Sequence, residues 1–186
     1  MTEPAIGDAS PWEGLPSRAV PRRLRSAQPF EDFYLRELPS LVALARALSG
    51  SAAAEDIAQE AMLASYCRWT EIEQYDQPAA WVRRVCANLA TSLIRRRAAE
   101  TRAVLRYGGM RQTSTELAPQ DEAFWAAVRR LPRRQAQSIA LHYIYDLQVS
   151  DVARTLGCSE SSVKAHLVRG RAALSSRLGI VEEDRS

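Results

Sequence analysis

Lysine is nearly absent from this 186-residue chain. Lys164 is the sole one, so all but one of the 25 basic residues are arginine. Histidine is almost as scarce, with only His142 and His166. The three cysteines, Cys67, Cys86 and Cys158, are odd in number and form no CxxC pair, which excludes a zinc site of the usual spacing. They read as buried, reduced thiols of a cytoplasmic protein. Aromatics make up only 7%. No window approaches the roughly 18 apolar residues of a membrane span. The N-terminus lacks the apolar core of a signal peptide. Membrane insertion is therefore not expected, and the cytoplasm is the expected compartment. Strand-period alternation is missing as well. So are a phosphate-binding glycine loop, a nucleophile–base pair and a metal cluster. Catalysis, a cofactor and a bound metal are all unexpected.

What is present is helical pattern and clustered arginine. Hydrophobic residues make up 46%, enough for one sizeable core or two small ones. The formal charge is only +3, although the sequence pI is about 9.0. Arginine forks onto phosphates and guanine edges better than lysine does. An arginine-rich codon bias accounts for the same excess, so clustering has to carry any nucleic-acid argument.

The leader, residues 1–27, is proline-rich and aperiodic and reads as disordered. Its Arg18, Arg22, Arg23 and Arg25 suit either a solvated tail or a nucleic-acid contact. From Phe30 the apolar residues Phe33, Tyr34, Leu38, Leu41, Leu44, Ala45 and Leu48 recur at helical steps. This predicts a helix, bent or restarted at Pro39 and ended by Gly50–Ser51. A second helix is expected over 53–69, with Glu55 and Asp56 in its first turn, where acids suit the dipole. After a polar loop holding Tyr75, a third helix opens at Pro78 and runs to 99. Residues 100–120, with Gly108, Gly109 and Pro119, read as a linker. Helix returns over 121–130, breaks at Leu131–Pro132, and restarts through Tyr145. An acidic tail, 180–186, closes the chain. The expected fold is all-α: two small helical domains, 28–99 and 121–179, joined by a flexible linker.

The stretch "DVARTLGCSESSVKAHLVRGRAAL" (151–174) has the outline of a helix-turn-helix. Val149, Val152, Ala153 and Leu156 form one apolar stripe, and Val163, Leu167 and Leu174 another. Ile139, Tyr143 and Ile144 are the expected third wall. Gly157 is the turn residue and Ser159 the N-cap. The outer face then carries Glu160, Ser161, Ser162, Lys164, Ala165, His166, Arg169 and Arg171. A recognition helix presents such a face to the major groove, with cations on phosphates. Glu160 suits a cytosine amino group. A plain three-helix bundle with a charged outer face is the bland alternative. His142 reads as an edge-of-core residue.

In the third helix, Trp81, Val82, Val85, Leu89 and Leu93 form the expected buried stripe. Arg84, Asn88, Thr91, Ser92 and Arg95 fall on the opposite side, and Arg95, Arg96 and Arg97 follow one another. An asparagine among arginines suits phosphates and bases.

Taken in order, three stretches resemble the extracytoplasmic-function (ECF) sigma factors of bacterial RNA polymerase. "AEDIAQEAMLASYCRW" (54–69) is similar to their region 2.2. "QPAAWVRRVCANLATSLIRRR" (77–97) is similar to regions 2.3 and 2.4. "LPRRQAQSIALHYIYDLQVSDVARTLGCSESSVKAHLVRGRAAL" (131–174) is similar to region 4. A short tether without a region 3 domain completes the pattern, which covers about residues 29–179. The resemblance implies that Asp56, Gln59 and Glu60 contact the β′ clamp of core RNA polymerase, and that region 4 meets the β flap. It implies that Arg83, Arg84, Asn88, Ser92, Arg95 and Arg96 hold the minus-ten element of promoter DNA, with the Tyr75 loop receiving an extruded base. It implies that region 4 reads the minus-thirty-five element through Ser159, Glu160, Ser161, Ser162, Lys164, Ala165, His166, Arg169 and Arg171. An anti-sigma factor is a common partner in the family. This chain departs from the usual pattern at Ser161–Ser162 (commonly Gly-Thr), His166 (commonly basic) and Ser92 (frequently Asp). Its Ala80–Trp81 stands where primary sigma factors have adjacent tryptophans, and Trp81 is expected in the core. The competing functional reading is a stand-alone helix-turn-helix repressor or activator. A third is an interaction module that titrates an anti-sigma partner.

Overall fold

The computed structural model describes residues 29–105 and 119–179. The leader, the middle of the expected linker and the acidic tail lie outside them. Among the described residues there are helices and no strands, in the order α1 Phe30–Ser49, a 3-10 turn Ser51–Ala53, α2 Ala54–Cys67, α3 Trp69–Ile72, α4 Pro78–Leu105, α5 Pro119–Arg129, α6 Arg133–Tyr145, α7 Val149–Leu156 and α8 Glu160–Leu178.

Each helix follows from its apolar period. In α1, Phe33, Leu41, Leu44, Ala45 and Leu48 are buried on one face. The helix is not restarted at Pro39: α1 runs through it. Proline removes the hydrogen bond to the carbonyl four residues earlier. Pro39 and Leu35 both lie on the solvent side, where that carbonyl is open to water. In α2, Ala54, Ala58 and Ala61 are fully buried beside Ile57 and Met62. Their small side chains let α1, α2 and α4 approach closely, and these three helices form the first bundle. Trp69–Ile72, expected partly as the end of α2 and partly as loop, forms its own turn of helix. Helix α4 outruns its expected end and carries on to Leu105. Trp81 is in the core, 8% exposed.

The second bundle packs α6 and α7 against α8, with α5 across α8. Gly157 takes φ 64°, the left-handed conformation that lets α7 stop and α8 begin. Ser159 caps α8, its side chain accepting from the Ser162 amide. Gly170 is buried where α8 crosses α6. A Cβ there would lie 3.2 Å from Ile139 Cγ1, so the close approach needs the missing side chain. Tyr143, expected as part of the inner wall, instead points outward at 52% exposure. It meets Phe124, His142 and the guanidinium of Arg171 edge-on or across its face. His142 lies at the rim, its Nδ1 2.8 Å from the Leu147 carbonyl oxygen. Of the thiols expected to be buried, only Cys86 is; Cys158 is half-buried and Cys67 is exposed, because it falls on the outer side of the last turn of α2.

The two bundles lie against each other. Helix α1 packs on α5 and α6, and α4 packs on α6 and α7, so the apolar core is continuous across both. No helix among the described residues is long and apolar enough to cross a membrane.

Candidate nucleic-acid interface

The outer face of α8 is built as its sequence implies. Val163, Leu167 and Leu174 turn inward. Ser159, Glu160, Ser161, Lys164, Arg169 and Arg171 are exposed, and Ser162, Ala165 and His166 are half-buried. The hydroxyls of Ser161 and Ser162 both lie within 2.9 Å of the Ser159 hydroxyl, forming a polar knot at the helix start. His166 is held below the ordinary imidazole range by burial first, then by Arg134 and Arg169. It is a neutral donor or acceptor near pH 7, flanked by cations that suit phosphates.

The polar face of α4 differs more from expectation. Its arginines and asparagine read as a solvent face, yet Asn88 is 8% exposed and Thr91 6% exposed. The second bundle covers them. Asn88 Oδ1 accepts from Arg133 Nη2 at 2.5 Å and from Gln137 Nε2 at 3.1 Å. Gln137 itself is fully buried, and its amide nitrogen also lies 3.3 Å from Thr91 Oγ1 and 3.2 Å from the Ala87 carbonyl oxygen. Arg84 reaches the α7–α8 turn, its Nη1 only 2.7 Å from where a Cβ on Gly157 would sit. Burial and then Arg134 pull Arg84 below the usual arginine range. Arg83 points the other way. Its guanidinium donates to Glu37 at 2.9 Å and stacks one face 4.2 Å from the Tyr145 ring centre, so both contacts are made within the protein. Glu37 is buried and also accepts from Arg36. Ser92 is half-buried, and Arg95 and Arg96 are exposed near the far end of the face. Tyr75, half-buried, donates its hydroxyl to Glu71, which Arg68 grips with two further bonds. Desolvation, then the Glu71 bond, pushes the Tyr75 phenol up to about 12.

A third surface lies on the first bundle, between the start of α1 and α2. Asp56, Gln59 and Glu60 are exposed and line one wall of an open groove of about 610 Å³. Phe30, Tyr34, Met62, Leu63 and Tyr66 form the rest. Leu63 and Tyr66 are each 62% exposed. An acidic edge beside exposed apolar side chains suits a protein partner that offers both cations and apolar groups.

Sequence reasoning missed Arg133, Gln137 and Tyr145, which occupy α4. The available signal was weak: a glutamine on the inward side of a helix otherwise lined by Ala136, Ile139 and Ala140. It also missed Leu63 and Tyr66. Two large apolar residues on the polar side of α2 were the visible sign. Among the described residues no group of histidine, cysteine and carboxylates is placed to hold a metal ion.

Residues 33–100 match the family described as Sigma-70 region 2, and residues 121–174 that described as Sigma-70, region 4. The ECF RNA polymerase sigma factor SigM of Mycobacterium tuberculosis is 30% identical over 157 residues, covering 81% of this chain and 77% of that protein. The ECF RNA polymerase sigma factor EcfG of Rhodopseudomonas palustris is 29% identical over 153 residues, covering 79% and 83%. In fold, the chain is similar to the sigma factor RpoE from Bartonella quintana, solved in complex with the anti-sigma factor NepR. The TM-score is 0.67, with 24% identity over 81% of this chain and 97% of that one. With both regions matched in order and relatives aligned over most of their length, the chain belongs to the ECF sigma factors of the sigma-70 family.

Proposed function

We propose that this ECF sigma factor, which directs core RNA polymerase to promoters, meets the β′ clamp through the α2 groove. Asp56, Gln59 and Glu60 supply the polar edge, and Leu63 and Tyr66 the apolar contact. The observation that carries this reading is the exposed acidic edge set against unsatisfied apolar surface in the segment that matches region 2. In the same reading α8 enters the major groove of the minus-thirty-five element, with Ser161, Ser162 and His166 toward bases and Lys164, Arg169 and Arg171 toward phosphates. Region 4 rests on the β flap. The face of α4 from Arg84 through Asn88 and Ser92 to Arg95 and Arg96 takes the melted minus-ten strand once the two bundles part. Capture of an unpaired base near Tyr75 offsets the few kcal/mol of unstacking. Arg83 serves this site indirectly by fixing α4 on α1 through Glu37. The protein acts as a non-enzymatic initiation factor in the cytoplasm, where its polymerase works. An anti-sigma factor is a further partner we infer from the Bartonella relative.

The test is size-exclusion chromatography of the purified chain with bacterial core polymerase. One-to-one co-elution is expected, and loss of it in the double charge reversal D56K/E60K with an unchanged circular dichroism spectrum. Normal holoenzyme assembly by that variant would place the clamp contact elsewhere. Failure of the wild type on a polymerase that accepts a control sigma factor would favour a stand-alone regulator.

A further inference from the structure

We propose that the basic segment upstream of α1, residues 17–28, docks along the α2 groove of its own chain, so that core polymerase has to displace it to reach Asp56 and Glu60. This rests on the assignment of that groove to the polymerase made above.

The groove sets what its occupant must carry. Asp56 and Glu60 are exposed, and neither has an ion-pair partner among the described residues. Glu55 beside them, and Glu31 and Asp32 in the first turn of α1, add exposed carboxylates. Leu63 and Tyr66 leave apolar surface along the same groove. A matching occupant offers cations with apolar side chains between them.

The chain carries such a segment at the edge of the groove. The stretch "SRAVPRRLRSAQ" (17–28) holds four arginines and no acid, with Val20 and Leu24 set among them. The acids of the leader, Glu3, Asp8 and Glu13, all lie earlier, so its charge is segregated with the basic half nearest α1. The segment joins α1 at Pro29, whose φ of −55° and ψ of 136° are extended rather than helical. Phe30, the next residue, is itself part of the groove wall, its ring centre 5.1 Å from that of Tyr66. The segment therefore starts at the Tyr66 end of the groove. From Tyr66 back to Asp56 the helix rises about 15 Å. Arg25 and Arg22 have an extended reach of roughly 17 and 27 Å from Phe30, enough to bring them to Glu60 and Asp56 with Leu24 against Leu63. Exposed ion pairs are individually weak. The tether compensates, because a short one holds the segment at about millimolar effective concentration.

The experiment uses the full chain. Cys67 follows Leu63 by one helical turn and is exposed on the same side of α2, so a nitroxide on it reports on the groove. Cys158→Ser confines the label to Cys67, since Cys86 is buried. Without polymerase, the amide signals of Arg22, Arg23 and Leu24 are expected to broaden, and to recover in D56K/E60K, whose tether is unchanged. Affinity for core polymerase without DNA is then compared between the wild type and Arg22→Gln/Arg23→Gln/Arg25→Gln. All three positions lie outside the described helices, and an unchanged circular dichroism spectrum checks the fold. A segment that covers the groove about 90% of the time costs about tenfold in apparent affinity, so the triple variant should bind polymerase about tenfold tighter. Broadening equal in the wild type and D56K/E60K, with normal polymerase binding by the wild type, overturns the docked segment and leaves the polymerase reading standing. Weaker polymerase binding by the triple variant also overturns it, and assigns these arginines to a direct polymerase contact. Broadening that depends on Asp56 and Glu60, with polymerase affinity unmoved by the triple variant, overturns both the competition and the placing of the clamp in this groove.

Discussion

At His166 burial and charge act in the same direction. Burial and the nearby Arg134 and Arg169 all disfavour the imidazolium, so the folded chain takes up this proton at lower pH than the unfolded chain does. Between the folded value and the unfolded value of about 6.5, the unfolded state binds more protons. The stability this residue contributes is therefore intact above about pH 6.5 and is lost as the pH falls toward the folded value. Urea denaturation at pH 7.5 and pH 5.5 should show a smaller acid-side loss for His166→Gln than for the wild type. Equal losses would mean that the ring is as free as any surface histidine. Gly157 is constrained twice at the same scale. Its φ of 64° suits glycine, and Arg84 occupies the space a side chain would need.

Helix α8 converts its period into two separate surfaces. The apolar residues hold it on α6 and α7, and the cap at Ser159 fixes where it starts. The register then decides which cations face outward. Arg169 is free on the surface, whereas Arg171 lies 5.7 Å from the Tyr143 ring centre and is partly steered by it. Each phosphate contact releases condensed counterions. Arg169→Ala or Arg171→Ala should weaken promoter binding by the holoenzyme and flatten the plot of log K against log salt by about one unit. A salt slope unchanged in both variants would remove these two residues from the phosphate contacts. A larger effect at Arg169 is expected, because no aromatic ring among the described residues stacks on its guanidinium.

Across the whole molecule, the three thiols report three depths. Burial pushes the Cys86 thiol up to about 12, and its Sγ lies 3.6 Å from the Leu41 carbonyl oxygen, inside the first bundle. Cys67 is open to solvent, and Cys158 sits half-buried at the α7–α8 turn beside Arg84. Maleimide labelling at neutral pH followed by mass spectrometry should modify Cys67 first. Cys86 should label only under denaturing conditions, since the thiolate is the reacting form and needs both water and access. Early labelling of Cys86 would mean that the first bundle opens on its own.

Local pattern by itself determined that the chain is helical and located most of the helices, though it did not separate α3 from α2 or carry α4 on to Leu105. Apolar spacing in α1, α7 and α8, Gly157 at the turn and Ser159 at the cap are encoded within a few residues of where they act. The outer face of α8 and the acidic edge of α2 were legible as exposed surfaces for the same reason: each lies on one helix, so its period assigns the residues. Glu37–Arg83, Arg133–Asn88 and Gln137–Thr91 were not legible, because each pair is more than forty positions apart in the chain. A polar stripe on α4 reads alike whether water, DNA or another helix satisfies it. Only the tertiary structure decided that α6 does so in the free chain. Hydrogen-bonding groups must find partners, and the nearest ones came from a bundle that the sequence places beyond a linker.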